Sequence, residues 1–138
     1  MTKNIFITGG TSGIGKALVF KFADEKWNIF FTYKNNFKEA KKISVKLKAY
    51  NVKHQFVKMD LNKKKSIKNA FKIFSSKFKI LNFLINNANQ TPKRKVFLNI
   101  SDEEIKKNIN SLLVGNLILI KNALRLLLKN KIKKKMES

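Results

Sequence analysis

Short apolar runs alternate along this chain with longer segments in which apolar residues recur every three or four positions. The short runs predict β-strands at 3–8, 28–33, 52–59 and 80–86. The longer segments predict helices over about 13–26, 36–50 and 63–78, and then a long helix that begins at Ser101. Because strands and helices alternate at this spacing, we expect an α/β fold with a parallel sheet and right-handed crossovers.

The long helix begins with a recognisable cap and ends in a basic segment. Ser101 and Glu104 have the spacing of a capping box, in which each side chain satisfies a free amide at the helix start. Polar residues interrupt the apolar stretch 112–128, so a packed helix is favoured over a membrane span. We therefore predict one domain over 1–128 and a basic, frayed tail over 129–138.

The charge of the chain is strongly positive, with a formal net charge of +23. Such a charge is typical of nucleic-acid binders. Only two arginines occur, Arg94 and Arg125, and the lysines are scattered along every segment. Because arginine is the usual reader of phosphates and bases, the charge favours a solvated, compositionally biased surface over a nucleic-acid site.

The first predicted crossover contains a glycine-rich turn, FITGGTSGIGKAL at 6–18, which is typical of phosphate binding. Gly10 to Lys16 matches most of a nucleoside-triphosphate loop, but Ala17 replaces the hydroxyl residue that would bind Mg²⁺. A dinucleotide loop fits better. Gly9 would allow the tight turn, Gly13 the approach of a pyrophosphate, and Gly15 the packing of the helix on the sheet.

Further polar residues follow the third and fourth predicted strands. The amides at the start of the first helix and the hydroxyls of Thr11 and Ser12 would face the same phosphates. Asp60 and Leu61 follow the third strand, and Asn87 and Ala88 follow the fourth. The carboxyl ends of parallel strands are where ligands bind in such folds, although helix caps and turns use the same residue types.

These motifs together resemble the short-chain dehydrogenase/reductase family, over about residues 3 to 128. TGGTSGIG resembles the cofactor loop of the family, MDL at 59–61 its adenine-contacting segment, and LINNA at 84–88 its fourth-strand motif. The resemblance looks strongest to 3-oxoacyl-carrier-protein reductase-like members. It implies a Rossmann-type three-layer αβα fold with strand order 3-2-1-4, and an NAD(P)(H)-dependent oxidoreductase acting on a carbonyl or alcohol.

The resemblance also implies a set of cofactor-binding residues. They are Gly9, Thr11, Ser12, Gly13, Ile14, Gly15, Tyr33, Lys34, Asp60, Leu61, Asn87, Ala88 and Asn89. Asn89 stands where the family usually has glycine, and we expect it to tolerate a positive φ. The second strand ends in Tyr33 and Lys34 without the carboxylate typical of NAD sites, which favours NADP(H) over NAD(H).

The catalytic residues of the family have no counterpart in these 138 residues. The family uses a serine and a Tyr-x3-Lys pair, whereas Tyr33 and Tyr50 are followed four residues later by phenylalanine and histidine. The family asparagine of the long helix aligns with Leu112, and Asn110 would lie about 200° around an α-helix from it. We therefore expect a cofactor-binding half, C-terminally truncated relative to the family and inactive alone.

The partners expected of the chain follow from its missing fifth strand. The fourth strand would be an apolar sheet edge, and in the family the long helix helps to build a dimer interface, so we expect a homo-oligomer or association through 101–128. A non-enzymatic module that pairs through this helix remains an alternative; a nucleic-acid binder and a triphosphatase are less favoured.

The single histidine, His54, predicts no metal site, and the lack of cysteine and of a signal-peptide pattern favours a cytoplasmic location.

Overall fold

A computed structural model describes residues 3–89 and 95–136. The strands are β1 (Asn4–Ile7), β2 (Asn28–Tyr33), β3 (His54–Lys58) and β4 (Phe83–Ile85). The helices are α1 (Gly13–Asp24), α2 (Phe37–Leu47), α3 (Lys64–Phe78), α4 (Asp102–Ile109) and α5 (Asn116–Met136). Short 3₁₀ turns lie at Lys48–Tyr50 and Phe97–Asn99, and a π-helical segment, Asn110–Gly115, joins α4 to α5.

The four strands form one parallel sheet in the order β3-β2-β1-β4, which confirms the predicted fold class. Ile5 pairs with Ile29 on one side and with Phe83 on the other, so β1 is central. β4 is shorter than the predicted run 80–86, and the chain before it turns at Lys79, where φ is 61°.

The sheet separates two apolar layers, since successive side chains of a strand point to opposite faces. Ile5 and Ile7 of β1 pack with Val19 of α1 and Ile43 of α2. The intervening Phe6 packs on the other face with α3 and α5, where its ring stacks on Phe71 at 4.8 Å between centroids. This second layer is rich in phenylalanine, and Phe30, Phe74 and Phe78 complete it.

The π-helical segment sets how the long helix lies against the rest of the domain. Asn110 donates through Nδ2 to the backbone oxygen of Asn62 at 3.3 Å. A Cβ on Gly115 would come 2.2 Å from the backbone oxygen of Leu61. Residues five apart lie on one face of a π-helix but far around an α-helix. The segment therefore brings Asn110 and Gly115 together onto the 61–62 loop.

The long helix combines a buried stripe with an exposed apolar one. Leu119 and Ala123 are buried in the layer formed with α3, whereas Leu113, Leu117 and Leu124 are exposed. By length and composition alone Asp102–Lys129 would be able to cross a membrane, and 22% of its most apolar part is buried in the domain. The helix continues to Met136, into the predicted tail, of which the last two residues lie outside the described part of the chain.

Candidate functional site

A cavity of about 410 Å³ opens at the carboxyl ends of β1, β2 and β4. Its size lies within the usual range for small-molecule sites. It is lined by Gly9, Thr11, Ser12, Gly13, Ile14, Thr32, Tyr33, Lys34, Asn35, Asn36, Met59, Leu61, Asn87, Ala88 and Asn89. The fold thus gathers at one edge of the sheet residues that are as much as 80 positions apart in sequence.

The glycines of the first turn have different surroundings. Gly9 has a φ of 69°, which allows the chain to turn sharply away from β1. A Cβ on Gly15 would lie 2.1 Å from the backbone oxygen of Gly9, so the helix can approach the turn only without a side chain here. Gly13 lines the cavity, and nothing lies within 4 Å of where its Cβ would be. The space above Gly13 is therefore open to a ligand.

The backbone amides in the first turn of α1 are available to a ligand, because the N-cap side chain does not accept from them. Ser12 is the N-cap residue, but its side chain makes no capping hydrogen bond. In α2 and α4 the Asn36 and Ser101 side chains do accept from the third helical amide. The first amides of a helix have no partner within the helix and carry the positive end of its dipole, so those of α1 suit an anion.

Thr8 and Asn87 tie the glycine turn to the end of β4. The buried Thr8 hydroxyl accepts from the backbone amides of Asn87 at 3.0 Å and Ala88 at 2.8 Å. The Asn87 side chain donates back to the oxygens of Thr8 at 3.0 Å and Gly9 at 3.2 Å. The Asn87 side chain therefore holds the glycine turn against the end of β4.

The end of β2 supports the opposite side of the same turn. The amide of Gly10 donates to the backbone oxygen of Thr32 at 2.9 Å, and that of Gly9 to the Thr32 hydroxyl at 3.3 Å. Thr32 is buried and lines the cavity. The glycine turn is thus held from both neighbouring strands, which fixes its backbone before any ligand arrives.

Lys34 and Asp60 form an ion pair beside the cavity, with 3.4 Å between Nζ and Oδ1. Burial alone would raise the pKa of Asp60. The Asn62 amide, which donates to Oδ1 at 3.0 Å, and the Lys34 ammonium together outweigh burial and lower that pKa. Asp60 does not cap α3, whose N-cap is Lys63; its carboxylate instead closes the turn that follows β3.

All the predicted cofactor residues except Gly15 and Asp60 line the cavity. Gly15 packs against the Gly9 backbone oxygen, and Asp60 pairs with the cavity-lining Lys34. The lining also includes Thr32, Asn35 and Asn36, which were not among the predicted cofactor residues, and Met59, which was included only as part of the MDL segment. A threonine in an otherwise apolar strand end and an Asn-Asn helix start were the available signals. Neither distinguishes a site from an ordinary turn.

Asn89 and His54 are two further residues for which the sequence made a prediction. Positive φ among the described non-glycine residues occurs at Lys26, Asn51 and Lys79, so Asn89 does not adopt the positive φ that it was expected to tolerate. His54 contacts the Val52 oxygen and the Ser44 hydroxyl, each at 3.1 Å. In the part of the chain that the structure describes, no cluster of three or more His, Asp or Glu side chains would hold a metal.

A parallel sheet of order β3-β2-β1-β4 with a glycine-rich turn at the first crossover is the architecture of a dinucleotide-binding α/β domain. Residues 3–134 match the family model described as short chain dehydrogenase, and the chain belongs to that family of oxidoreductases.

Curated relatives agree with this assignment. The chain is 29% identical over 122 residues to the uncharacterized oxidoreductase YhdF of Bacillus subtilis (strain 168), covering 88% of this chain and 42% of that protein. It is 26% identical over 115 residues to the 3-oxoacyl-[acyl-carrier-protein] reductase FabG of Staphylococcus epidermidis, covering 83% and 47%. The chain therefore spans less than half the length of these relatives.

Solved structures share the fold. A short chain dehydrogenase from Burkholderia cenocepacia J2315, in complex with NADP, superposes with a TM-score of 0.85 at 22% identity. A blue fluorescent protein from a metagenomic library, in complex with NADPH, gives a TM-score of 0.84 at 21% identity. Both similarities cover 91% of this chain and 51% of the other.

Proposed function

We propose that this chain is the nicotinamide-dinucleotide-binding part of a short-chain dehydrogenase and that it takes NADP(H) in preference to NAD(H). The observation that carries the proposal is the uncapped first turn of α1 beside the open space at Gly13. The pyrophosphate would lie there, on amides with no protein partner and with no side chain in its way.

The preference for NADP(H) rests on the end of β2. Lys34 lines the cavity where NAD sites place a carboxylate, and Asn35 and Asn36 follow it. The Lys34 ammonium already lies against one anion, Asp60. A 2′-phosphate carries more charge than a carboxylate, so it would compete for Lys34. The NADP and NADPH complexes named above belong to other proteins of this fold and are consistent with this choice.

The 138 residues would bind the cofactor without using it. A tyrosine needs a nearby cation to lose its proton near neutral pH, since its ordinary pKa is about 10. Tyr33 lies in β2 beside the Phe37 and Phe56 rings, and Tyr50 lies in the turn after α2. Neither belongs to a Tyr-x3-Lys pair, so we expect no carbonyl reduction by this chain alone.

Calorimetric titration with NADPH tests the proposal. Trp27 packs on Phe22 and Phe83 at the amino end of the sheet, away from the cavity, so its fluorescence would report binding poorly. We expect NADPH to bind the wild type and not the Gly13→Asp variant, in which a carboxylate takes the position of the pyrophosphate. Val45→Asp, which adds the same charge on an exposed part of α2, is the matched control.

Two results would overturn the proposal. One is a folded wild-type chain that shows no heat of binding at millimolar NADPH. The other is Gly13→Asp protein that is folded by circular dichroism and keeps the wild-type affinity, because the pyrophosphate would then not lie over Gly13.

Association of copies through the long helix is the second function that we propose. Its exposed stripe consists of Leu113, Leu117, Ile120, Leu124 and Leu128. Among the described strands β4 pairs only with β1, and Phe83, whose ring lies against Phe22 of α1, is 49% exposed. An unpaired apolar sheet edge and an exposed apolar helix face each favour association.

Light scattering at several concentrations tests this association. We expect the wild type to be larger than a monomer and the variant Leu117→Lys/Leu124→Lys to be monomeric, because the stripe would then carry two charges. Val45→Lys, at an exposed apolar position of α2, should leave the size unchanged. A wild type that stays monomeric at every concentration contradicts the association.

A further inference from the structure

An ion pair joins the two helices that flank the β2 side of the cavity. Lys16 of α1 and Glu39 of α2 lie 2.7 Å apart between Nζ and Oε1. Their side chains are 40% and 23% exposed, so the carboxylate is the more enclosed of the two. Neither residue lines the cavity, and the proposed cofactor contacts do not include them.

The position of the pair relates it to the cavity. Lys16 is one helical turn beyond Ser12, to whose oxygen its amide donates at 3.1 Å. Glu39 is one turn beyond Asn36, to whose side chain its amide donates at 3.0 Å. Ser12 and Asn36 both line the cavity. The backbones of Lys16 and Glu39 therefore lie about one helical turn, roughly 5 Å, beyond those of the lining residues Ser12 and Asn36.

The Glu39 carboxylate is placed differently from that of its counterpart in α4. Both glutamates occupy the third helical position after a capping side chain. Glu104 accepts from the Ser101 amide at 3.1 Å through Oε2 and pairs with Lys95 through Oε1, whereas the Glu39 carboxylate contacts Lys16 of a different helix. The Lys16 hydrogen bond lowers the pKa of Glu39, so the carboxylate is ionised at neutral pH. A fixed negative charge thus stands at the start of α2; Lys16 of α1 is its direct partner, and Lys42 and Lys46 of α2 are more distant cations that act on it.

NADPH and NADH differ in this region by the 2′-phosphate alone, which adds about two negative charges. A carboxylate that has lost its direct cationic partner would repel that phosphate over roughly a Debye length, about 8–10 Å. We propose that the Lys16–Glu39 ion pair is a specificity-determining element, in which Lys16 neutralises Glu39 and so permits the 2′-phosphate to bind. This inference rests on the proposed dinucleotide function and assigns the preference for NADP(H) partly to residues outside the cavity lining.

Titrations of four proteins with both NADPH and NADH test the pair. Lys16→Met should weaken the binding of NADPH about three- to tenfold, as expected for charges roughly 10 Å apart. It should weaken the binding of NADH less than about twofold. Glu39→Gln should strengthen NADPH, because Lys16 is then an unpaired cation. The double variant Lys16→Met/Glu39→Gln should return the ratio of the two affinities close to that of the wild type. Added salt should reduce all these differences.

Two controls separate charge from structure. Lys16→Arg keeps the cation and should keep the ratio of affinities. Lys21→Met removes the exposed Lys21–Glu25 pair farther along α1, 3.2 Å between its charged atoms, and should leave the ratio unchanged. A circular dichroism spectrum of each variant shows that it is folded.

The outcomes are distinct. If Lys16→Met weakens NADPH and NADH equally, the pair only braces the helices and the inference is wrong. If NADPH binds the wild type but no variant changes the ratio, the inference is wrong while the proposed function stands. If the folded wild type binds neither dinucleotide, both are wrong.

Discussion

Gly15 shows how strictly a single side chain constrains the glycine turn. A Cβ at this position would lie 2.1 Å from the Gly9 oxygen and 2.4 Å from Nδ2 of Asn87. Both atoms belong to the hydrogen-bonded connection between β1 and β4. A methyl group here must therefore displace backbone and not merely a flexible side chain.

We expect Gly15→Ala to lower the free energy of unfolding by about 3 kcal/mol, because overpacking against a fixed backbone is costly. Gly13→Ala is the matched control. Its Cβ would meet nothing within 4 Å, so only the strain of its φ of 49° remains, about 1 kcal/mol. Urea unfolding of both variants measures the difference. Equal losses would mean that helix and turn do not approach as closely as the structure has them.

Asp60 should make the free energy of unfolding of the domain fall at acid pH. Its pKa is lower in the folded chain than the ordinary value of 3.8, so its contribution is complete above that value and is lost as pH falls through the folded pKa. We expect Asp60→Asn to lose up to about 1 kcal/mol at pH 6 and progressively less towards pH 2.5. Urea midpoints across this range measure it, with Asp24→Asn, an exposed residue of α1, as control. A loss from Asp60→Asn that does not change with pH would contradict the ion-pair interpretation.

At the scale of single residues, the sequence indicated the types of contact but not their partners. The spacing of Gly9, Gly13 and Gly15 predicted a turn in which each glycine has a different role. The surroundings of the three glycines differ in the way that these roles require. The sequence did not place Thr32 under that turn, because nothing local connects residue 32 with residue 9. The sequence also did not indicate that Lys34 and Lys16, among the 31 basic residues of the chain, would each form an ion pair.

The start of α4 offers a test of an element that the sequence predicted in detail. The Ser101–Glu104 capping box is present, with 3.2 Å from the Glu104 amide to the Ser101 hydroxyl. We expect Ser101→Ala to destabilise the domain by about 1 kcal/mol. Ser12→Ala is the matched control, because Ser12 makes no capping bond and its loss should cost less than about 0.5 kcal/mol. Urea unfolding measures both, and equal effects would mean that the cap does not form in solution.

At the scale of elements, the sequence predicted the strands and helices that depend on periodicity within one segment. It did not predict the structure that depends on contacts between segments. The apolar periodicity placed all four strands and the helices that follow them. It did not predict the π-helical segment Asn110–Gly115, because a π-helix depends on what the helix meets. Here the 61–62 loop receives both Asn110 and Gly115, and only a wider turn brings them to one face.

At the scale of the whole molecule, the net charge of +23 predicts a strong effect of salt on anionic ligands. Only eight acidic residues offset the 31 basic ones. We expect the affinity for NADPH to fall at least about threefold between 50 and 300 mM salt, as the attraction is screened. Adenosine, which shares the base and the ribose but is uncharged, should bind equally at both salt concentrations. Calorimetry measures both ligands, and an NADPH affinity unaffected by salt would contradict a role for the overall charge.

The sequence by itself determined the family, the parallel αβα fold and the end of the sheet at which the site lies. It did so because hydrophobic periodicity and glycine spacing are properties of short segments, and strand ends in a parallel sheet meet at one edge. Only the tertiary structure decided which side chains hold the glycine turn, where the π-helical segment falls and which carboxylates pair with Lys34 and Lys16. These contacts join residues 20 to 80 positions apart, and their geometry depends on how helices and strands pack together rather than on any local pattern.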